Sequence, residues 1–216
     1  MQPLQALAAT LAVFGVVAGL LAAVRSGRRR QVSALGHALL AGVLLWAAVW
    51  MWPLGTGIAG YDRLRDGQAV AELYFEQLVP GRFRVTMTRL PGGRMQVFDL
   101  DGQRWRIDAR TLHWRGWALE AGLTPRYQLD RLTGLDAADN DKTLPRGTYD
   151  LGDPGGLRFW QRIRAGPYWR RVVDARLVYG PNAVMSHGAR YEVVLATQGL
   201  DARPINDAAA VAQAAP

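Results

Sequence analysis

The sequence predicts an α+β protein: an N-terminal two-helix transmembrane hairpin, then an antiparallel β-rich domain, a sandwich or a partial barrel, with one or two short helices. Two observations predict this class. All 18 acidic residues lie beyond position 61, so the first part of the chain is apolar apart from four arginines. After position 60, apolar and polar residues alternate with a period of two, which is typical of half-buried strands. The pattern divides the chain into a hairpin at 1–60, a β-rich domain at 61–207 and a disordered tail at 208–216.

Two uncharged stretches, at about 3–24 and 34–54, are each long enough to cross a hydrocarbon core about 30 Å thick. A backbone in lipid must satisfy its own hydrogen bonds, so both stretches are expected to be helical. Pro53 and the glycines that follow it predict that the second helix ends near Trp52. A cleaved signal peptide would place its positive charge before the apolar run, whereas here the charge follows it.

The turn at 25–33 predicts the orientation of the hairpin. It carries four arginines and no acidic residue: Arg25, Arg28, Arg29 and Arg30. Short arginine-rich loops stay in the cytoplasm, so both termini and the β-rich domain are expected on the opposite side of the membrane. The predicted location is therefore a bacterial inner membrane, crossed twice, with the domain in the periplasm.

The two ends of the second apolar stretch differ in character. Trp46, Trp50 and Trp52 gather at its far end, as expected for an aromatic belt at the outer interface. His37 lies near its cytoplasmic end, where an interfacial role is favoured over a proton relay. These features agree with the orientation that the arginines predict.

Small residues predict where the two helices meet. Gly15 and Gly19 form a GxxxG pair, which allows the close approach of a second helix. We expect this pair to pack against Ala38 and Gly42 in the same hairpin. The alternative is a contact with another membrane protein.

The rest of the chain contains seven stretches with strand character, at 69–78, 82–90, 94–100, 103–109, 126–132, 172–179 and 190–197. Pro80-Gly81 and Asp101-Gly102 predict hairpins between the first four, which would form an antiparallel meander. Residues 114–123 are expected to form a short helix or an irregular cover, and 134–148 an exposed loop. Asp153 with Pro154 predicts the start of a helix.

The inventory of reactive residues argues against common catalytic and metal sites. Cysteine is absent, which removes disulfides and thiolate ligands. Ser186 and His187 are adjacent, a poor arrangement for a nucleophile and its base. Zinc would need more ligands than His113 and His187 supply. The acidic run at 136–141 lacks the spacing and central glycine of a calcium loop. We expect no cofactor and no bound metal.

Positive charge outside the turn is modest, because half of the formal net charge of +8 belongs to the turn itself. A nucleic-acid partner is therefore not expected. Two arginine groups could contact anionic lipid head groups, with ordinary ion pairing as the alternative. The first comprises Arg104, Arg106 and Arg110, and the second comprises Arg162, Arg164, Arg170 and Arg171.

Three runs carry a resemblance: YDRLRDGQAVAELYFEQLVPGRFRVTMT, VVDARLVYG and GARYEVVLATQGLDARP. The chain after Gly60 resembles a set of small proteobacterial inner-membrane proteins, some of which are named cation/multidrug efflux pump or multidrug transporter. The resemblance implies an inner-membrane location and brings no catalytic motif. Two helices without an intramembrane carboxylate or lysine offer no coupling site, so a role beside a pump is favoured over a pump.

These observations favour a non-enzymatic, membrane-anchored periplasmic domain that binds the lipid bilayer and an envelope or membrane partner. An accessory or regulatory subunit of a transport or multidrug efflux system is the first alternative. The second is an envelope hydrolase that uses paired carboxylates, with Glu72 and Glu76 or Asp99 and Asp101 as candidates. Such an enzyme needs a concave cleft with two carboxylates about 5–10 Å apart.

Overall fold

The computed structural model describes residues 3–27, 31–120, 122–136, 144–167, 169–196 and 199–214. It divides the chain into two compact units, and each is described by itself. The helical unit comprises Met1–Tyr61 and Asp153–Arg162, and the β unit comprises Asp62–Gly152 and Ile163–Pro216. Apolar helices followed by antiparallel sheets confirm the predicted α+β class.

The helices are α1 (Pro3–Gly27), α2 (Gln31–Ala59), α3 (Trp117–Glu120), α4 (Pro154–Ala165) and α5 (Asp207–Ala214). The strands are β1 (Asp62–Arg63), β2 (Gln68–Val79), β3 (Arg82–Arg89), β4 (Arg94–Asp101), β5 (Arg104–Trp114), β6 (Arg126–Asp136), β7 (Leu144–Asp150), β8 (Val173–Tyr179), β9 (Ala183–Val184), β10 (Arg190–Ala196) and β11 (Gly199–Pro204). A 3₁₀ turn at Trp169–Arg171 precedes β8.

Helices α1 and α2 form an antiparallel pair, and each contains a segment long and apolar enough to span a membrane. The segments are Gln5–Ser26, of 22 residues, and Gln31–Trp50, of 20 residues. Helix α2 does not end near Trp52, as predicted, but continues through Pro53 to Ala59. Proline removes one hydrogen bond from a helix interior, and a long helix with many other bonds tolerates that loss.

The contact between α1 and α2 consists of small side chains at intervals of seven positions, the repeat of a left-handed helix pair. Because alanine and glycine project so little, the two backbones can approach closely. The buried small residues at this spacing are Ala8, Gly15 and Ala22 on α1, and Ala34, Ala41 and Ala48 on α2, and Ala18 on α1 is buried as well.

The predicted glycine pair lies on this interface, but its partners differ from those predicted. A Cβ added at Gly15 would lie 2.8 Å from Cγ of Leu45, and one added at Gly19 would lie 3.8 Å from Cβ of Ala41. Ala38 is exposed, and a Cβ at Gly42 would meet nothing within 4 Å. The prediction that Ala38 and Gly42 face α1 is wrong, because the seven-residue repeat turns them away.

The first part of α4 completes the helical unit. Oδ2 of Asp153 accepts hydrogen bonds from the backbone N–H groups of Gly155 (2.8 Å) and Gly156 (3.2 Å), so Asp153 caps the helix as predicted. The hydroxyl of Tyr61 donates to the carbonyl of Gly156, and its ring meets Phe159 edge-on at 6.4 Å.

Two antiparallel sheets make up the β unit. The five-stranded sheet has the order β11-β10-β2-β3-β4. The six-stranded sheet has the order β1-β6-β5-β8, with β7 added on β6 and β9 on β5. Over the described residues, neither sheet closes into a barrel. Two sheets without a closed barrel agree with the predicted antiparallel domain, a sandwich or a partial barrel.

The apolar core lies between these sheets and centres on three aromatic rings. Trp105 on β5 packs against Phe75 at 5.4 Å and Tyr191 at 5.5 Å between ring centroids. Aromatic pairs of this kind add about 0.5–1.5 kcal/mol each beyond the burial of their area. Alternation along the strands brings Leu73 and Ile107 into the same core.

The Asp101-Gly102 turn is not a hairpin, contrary to the prediction. Strand β4 pairs with β3, whereas β5 belongs to the other sheet, so the turn carries the chain from one sheet to the other. Gly102 has a φ of +123°, and a Cβ there would collide with the carbonyl group of Leu135. The glycine is needed for this close approach to β6.

Three further predictions require correction. The predicted loop at 134–148 contains the end of β6 and most of β7, and its residues 137–143 lie outside the described part. Strand β11 was not predicted. Residues 208–214 belong to α5 rather than to a disordered tail. Oδ1 of Asn206 accepts from the N–H of Ala209 at 3.1 Å, which caps this helix.

Candidate functional site

The inner face of β5 changes from apolar to polar along the strand. Ile107 and Ala109 are buried between the sheets, and the same alternation places Thr111 and His113 on that face. On β8, Asp174 lies opposite His113 and Arg176 lies opposite Thr111. The sandwich therefore carries polar and charged side chains at one end of its inner surface.

A cleft of about 1020 Å³ opens at this end of the sandwich. This volume is at the upper end of the range of about 300–1,000 Å³ for small-molecule sites. Its apolar wall includes Leu64, Trp114, Pro125, Leu177 and Leu195, and its polar wall includes Asp66, His113, Arg115, Asp174 and Arg176. All of these residues belong to the β unit.

One carboxylate holds the two arginines of the cleft. Nη2 of Arg115 lies 2.5 Å from Oδ2 of Asp174, and Nη2 of Arg176 lies 2.7 Å from the same oxygen. The arginine side chains are 54% and 64% exposed, against 20% for Asp174. Because a guanidinium has five N–H donors, each arginine keeps further donors at the rim. The three groups together carry one net positive charge.

The charges of the cleft influence one another. Burial alone would raise the pKa of Asp174, but the hydrogen bond and charge of Arg176, with the charge of Arg115, hold that pKa below its usual range. Burial lowers the pKa of His113, and Arg176 and Arg115 lower it further against the opposing charge of Asp174. Asp174 is therefore ionised and His113 is neutral near pH 7.

A second cavity of about 330 Å³ shares Arg115 and Asp174 with the cleft. It contains two of the four arginines predicted to meet anions, Arg164 and Arg170. Arg162 and Arg171 are exposed and do not line it. The structure thus brings part of the predicted group together with Arg115, which the sequence analysis did not select.

The other predicted arginine group forms ion pairs inside the β unit. Arg110 is buried and pairs with Asp130, which is also buried. Nε of Arg106 lies 3.0 Å from Oδ1 of Asp108. Burial raises the pKa of Asp108, although Arg106 opposes that rise. Of the two interpretations weighed for this group, ion pairing fits these two arginines.

The residues weighed as catalytic lie away from the cleft. Nδ1 of His187 accepts the backbone N–H of Gln77 at 3.2 Å. Glu72 and Glu76 are exposed on strand β2. Asp99 and Asp101 pair with arginines of the neighbouring strand β3. Within the described ranges, no group of three His, Cys, Asp or Glu side chains is placed to hold a metal ion.

In the helical unit, Arg25 contacts α2 directly. Its Nη1 lies 2.7 Å from Nε2 of His37, whose Nδ1 lies 2.7 Å from the carbonyl oxygen of Ser33. A carbonyl can only accept, so Nδ1 carries the proton and Nε2 accepts from Arg25. The predicted turn residues Arg28, Arg29 and Arg30 lie outside the described residues. The predicted interfacial residues Trp46, Trp50 and Trp52 are all exposed.

The cleft was missed because its two strands are far apart in sequence. The predicted strand ended at Ala109, although Thr111 and His113 continue its inward alternation. The signal in the sequence that could have indicated the cleft was His113, a polar side chain at a position where the alternation of the strand predicts an inward-facing residue. Comparison with protein-family models, curated proteins and solved structures finds no match to this chain. The resemblance to small inner-membrane proteins therefore gains no support from these comparisons.

Proposed function

We propose that this protein is a two-pass bacterial inner-membrane protein whose β unit is a periplasmic, non-enzymatic binding domain. The outward surface of α1 and α2 carries this proposal. Large apolar side chains such as Phe14, Leu20, Val43 and Val49 are between 60% and 71% exposed there. Water around so much apolar surface is unfavourable at about 25 cal/mol per Å², and lipid removes that cost.

The placement of the domain follows from charge. The turn between the helices carries four arginines, and the far end of α2 carries the exposed tryptophans. Arginine-rich turns remain in the cytoplasm, and tryptophans prefer the membrane interface. Both features support a domain on the side opposite the turn.

The cleft supports a binding role for the domain. Its two arginines are held by Asp174, and its apolar wall is continuous with the core between the sheets. Carboxylates Asp66 and Asp174 both line it, but Asp174 is held in ion pairs with a lowered pKa. A general acid needs a raised pKa, so Asp174 suits ligand positioning better than proton transfer.

The anchor and its orientation can be tested with fusions to the full chain. Alkaline phosphatase attached after Pro216 is expected to be active, and a cytoplasm-dependent fluorescent protein at the same point is expected to be dark. Fusions after Arg30 are the matched control and should give the reverse pattern. The protein should also resist extraction by alkaline carbonate. Fluorescence after Pro216, or a product that is soluble without detergent, contradicts the proposed location.

The binding role can be tested by purification in a mild detergent. Ala196 lines the cleft and is exposed, so Ala196→Trp should fill the cleft without disturbing the core. Val211→Trp is a matched control, because Val211 on α5 is 72% exposed and lies outside the cleft. We expect an envelope lipid or protein to co-purify with wild type and the control, and to be lost from Ala196→Trp. Recovery of only the isolated protein in every case contradicts the binding role.

A further inference from the structure

We propose that the ligand of the cleft is an anionic glycerophospholipid, with its phosphate at Arg115 and Arg176 and its acyl chain along the apolar wall. This inference rests on the proposed function, because it names the ligand of the same cleft. It is carried by the geometry of the cleft: two guanidiniums at the rim, tied to one carboxylate, above a wall of apolar side chains.

The rim matches a phosphate diester in charge and in hydrogen bonding. Arg115, Arg176 and Asp174 carry one net positive charge at the rim, opposite to the one negative charge of a phosphate diester, and Asp66 adds a second carboxylate elsewhere in the cleft. Nη2 of each guanidinium contacts Asp174, and a guanidinium has five N–H donors, so each arginine has further N–H groups to offer a second anion. The planar fork of arginine fits two phosphate oxygens at once. Asp174 holds both forks in place before the ligand arrives, which lowers the entropy lost on binding.

The wall below the rim suits a hydrocarbon chain. Leu64, Trp114, Leu177 and Leu195 belong to four different segments and line one cleft. A volume of about 1020 Å³ exceeds what a phosphate group alone would fill. A site for free phosphate would need only the rim, whereas an amphiphile uses both surfaces. Under the proposed function, the protein is anchored in a bilayer, which is a source of such lipids.

His113 lies where the polar and apolar surfaces meet. Its imidazole is half-buried, and within the described part of the chain it makes no hydrogen bond. A neutral imidazole has one N–H donor, and this group can donate to a glycerol or phosphate oxygen. The histidine therefore supplies a third polar contact beside the two arginines.

The test uses the full-length protein in a mild detergent and two short-chain lipids. Dioctanoyl-phosphatidylglycerol has one net negative charge, whereas dioctanoyl-phosphatidylcholine has the same anionic phosphate together with a choline cation and no net charge. Affinities are measured by native mass spectrometry and by thermophoresis. We expect wild type to bind the anionic lipid at least about tenfold more tightly, because both lipids offer the same phosphate but Arg115 and Arg176 repel the choline cation of phosphatidylcholine.

Variants separate the rim from the wall. Arg115→Gln with Arg176→Gln should remove the preference for the anionic lipid, and Arg203→Gln should leave it unchanged. Arg203 is a matched control because it is 57% exposed and pairs with Asp201 outside the cleft. Arg115→Lys with Arg176→Lys keeps the positive charge but removes the planar guanidinium groups. This double variant should lose part of the preference for the anionic lipid. This second pair also serves if the glutamine variant does not fold. Ala196→Trp should weaken both lipids.

Each remaining outcome has a defined meaning. Competition by millimolar inorganic phosphate, together with equal affinity for the two lipids, would show an anion site and overturn the lipid proposal. Anionic lipid bound equally by the arginine variants and by Ala196→Trp would place the lipid elsewhere and also overturn it. If neither lipid binds while Ala196→Trp still loses a co-purifying protein, the lipid proposal fails and the binding role stands. If the full-length protein is soluble without detergent, the proposed membrane anchor is wrong, whatever the cleft binds.

Discussion

The hairpin and the sandwich place large and small side chains in opposite ways. The hairpin buries alanine and glycine and exposes leucine, valine and phenylalanine, whereas the sandwich buries its largest side chains and exposes arginine and aspartate. Tryptophan marks the contrast, because Trp46 is 66% exposed and Trp105 is 0% exposed. One chain thus combines a helix pair with an apolar surface and a sandwich with a charged surface.

The forces that stabilise each unit internally differ accordingly. Water drives apolar side chains into the sandwich core, and each buried methylene there contributes about 0.8 kcal/mol. If the hairpin lies in lipid, as proposed, that drive is absent between its helices, and close packing of small residues supplies the attraction. Large-to-small substitutions should therefore damage the sandwich, and small-to-large substitutions should damage the hairpin.

The largest expected effect is the loss of Trp105 from the core. Trp105→Ala removes the ring between Phe75 and Tyr191 and should lower the free energy of unfolding of the β unit by about 3–5 kcal/mol. Urea titration followed by circular dichroism of the β signal measures this change. Trp46→Ala is the control and should change it by less than about 0.5 kcal/mol. Equal effects of the two substitutions would contradict the proposed difference between the sandwich and the hairpin.

A smaller effect is expected for the reverse substitution in the hairpin. Gly15→Leu drives a side chain into Leu45 and should destabilise the helix pair by about 1–3 kcal/mol. Gly42→Leu is the matched control, because a Cβ there meets nothing within 4 Å. Cysteines placed at positions 19 and 41 of this cysteine-free chain report on the pairing through their rate of disulfide formation. A Gly15→Leu chain that cross-links as fast as its parent contradicts the interface.

Composition and alternation were enough to predict much of this architecture. The hairpin follows from the absence of charge before position 62, and the inward set of β5 follows from the spacing of Trp105 and Ile107. Pairing between distant strands was not available from local patterns. The Asp101-Gly102 turn has the residues of a hairpin, but the approach of Leu135 decides that it joins two sheets. The alanine-rich end is predicted to be disordered but forms α5, because alanine is the best helix former and Asn206 supplies the cap.

The candidate site was less predictable than the fold. Asp174 binds both Arg115 and Arg176, and the position of His113 opposite Asp174 depends on the register of β5 and β8. The arginines predicted from clustering divide instead between a cavity wall, exposed positions and a buried ion pair. Arginines that are close in sequence show only that a segment is strongly charged. A binding site requires side chains that lie close together in the folded structure.

The smallest expected effect is the change in stability with pH that arises from His113 at the edge of the sandwich. The chain has three histidines, so two-dimensional NMR with His37→Gln and His187→Gln variants assigns its imidazole signals. Burial and the two arginines place the pKa of His113 below the ordinary value of about 6.5. The unfolded chain therefore binds a proton more strongly than the folded one. Stability should fall as the pH drops below about 6.5 and level off below the folded-state pKa.

Removing a positive neighbour tests the cause of this lowered pKa. Arg176→Gln should raise the pKa of His113 toward its ordinary value, because the second-largest contribution after burial is lost. Arg203→Gln should leave it unchanged. Bound anionic lipid should also raise it, by placing a negative charge beside the imidazole. If neither Arg176→Gln nor bound lipid changes the pKa of His113, burial alone lowers that pKa and no anion lies beside the imidazole.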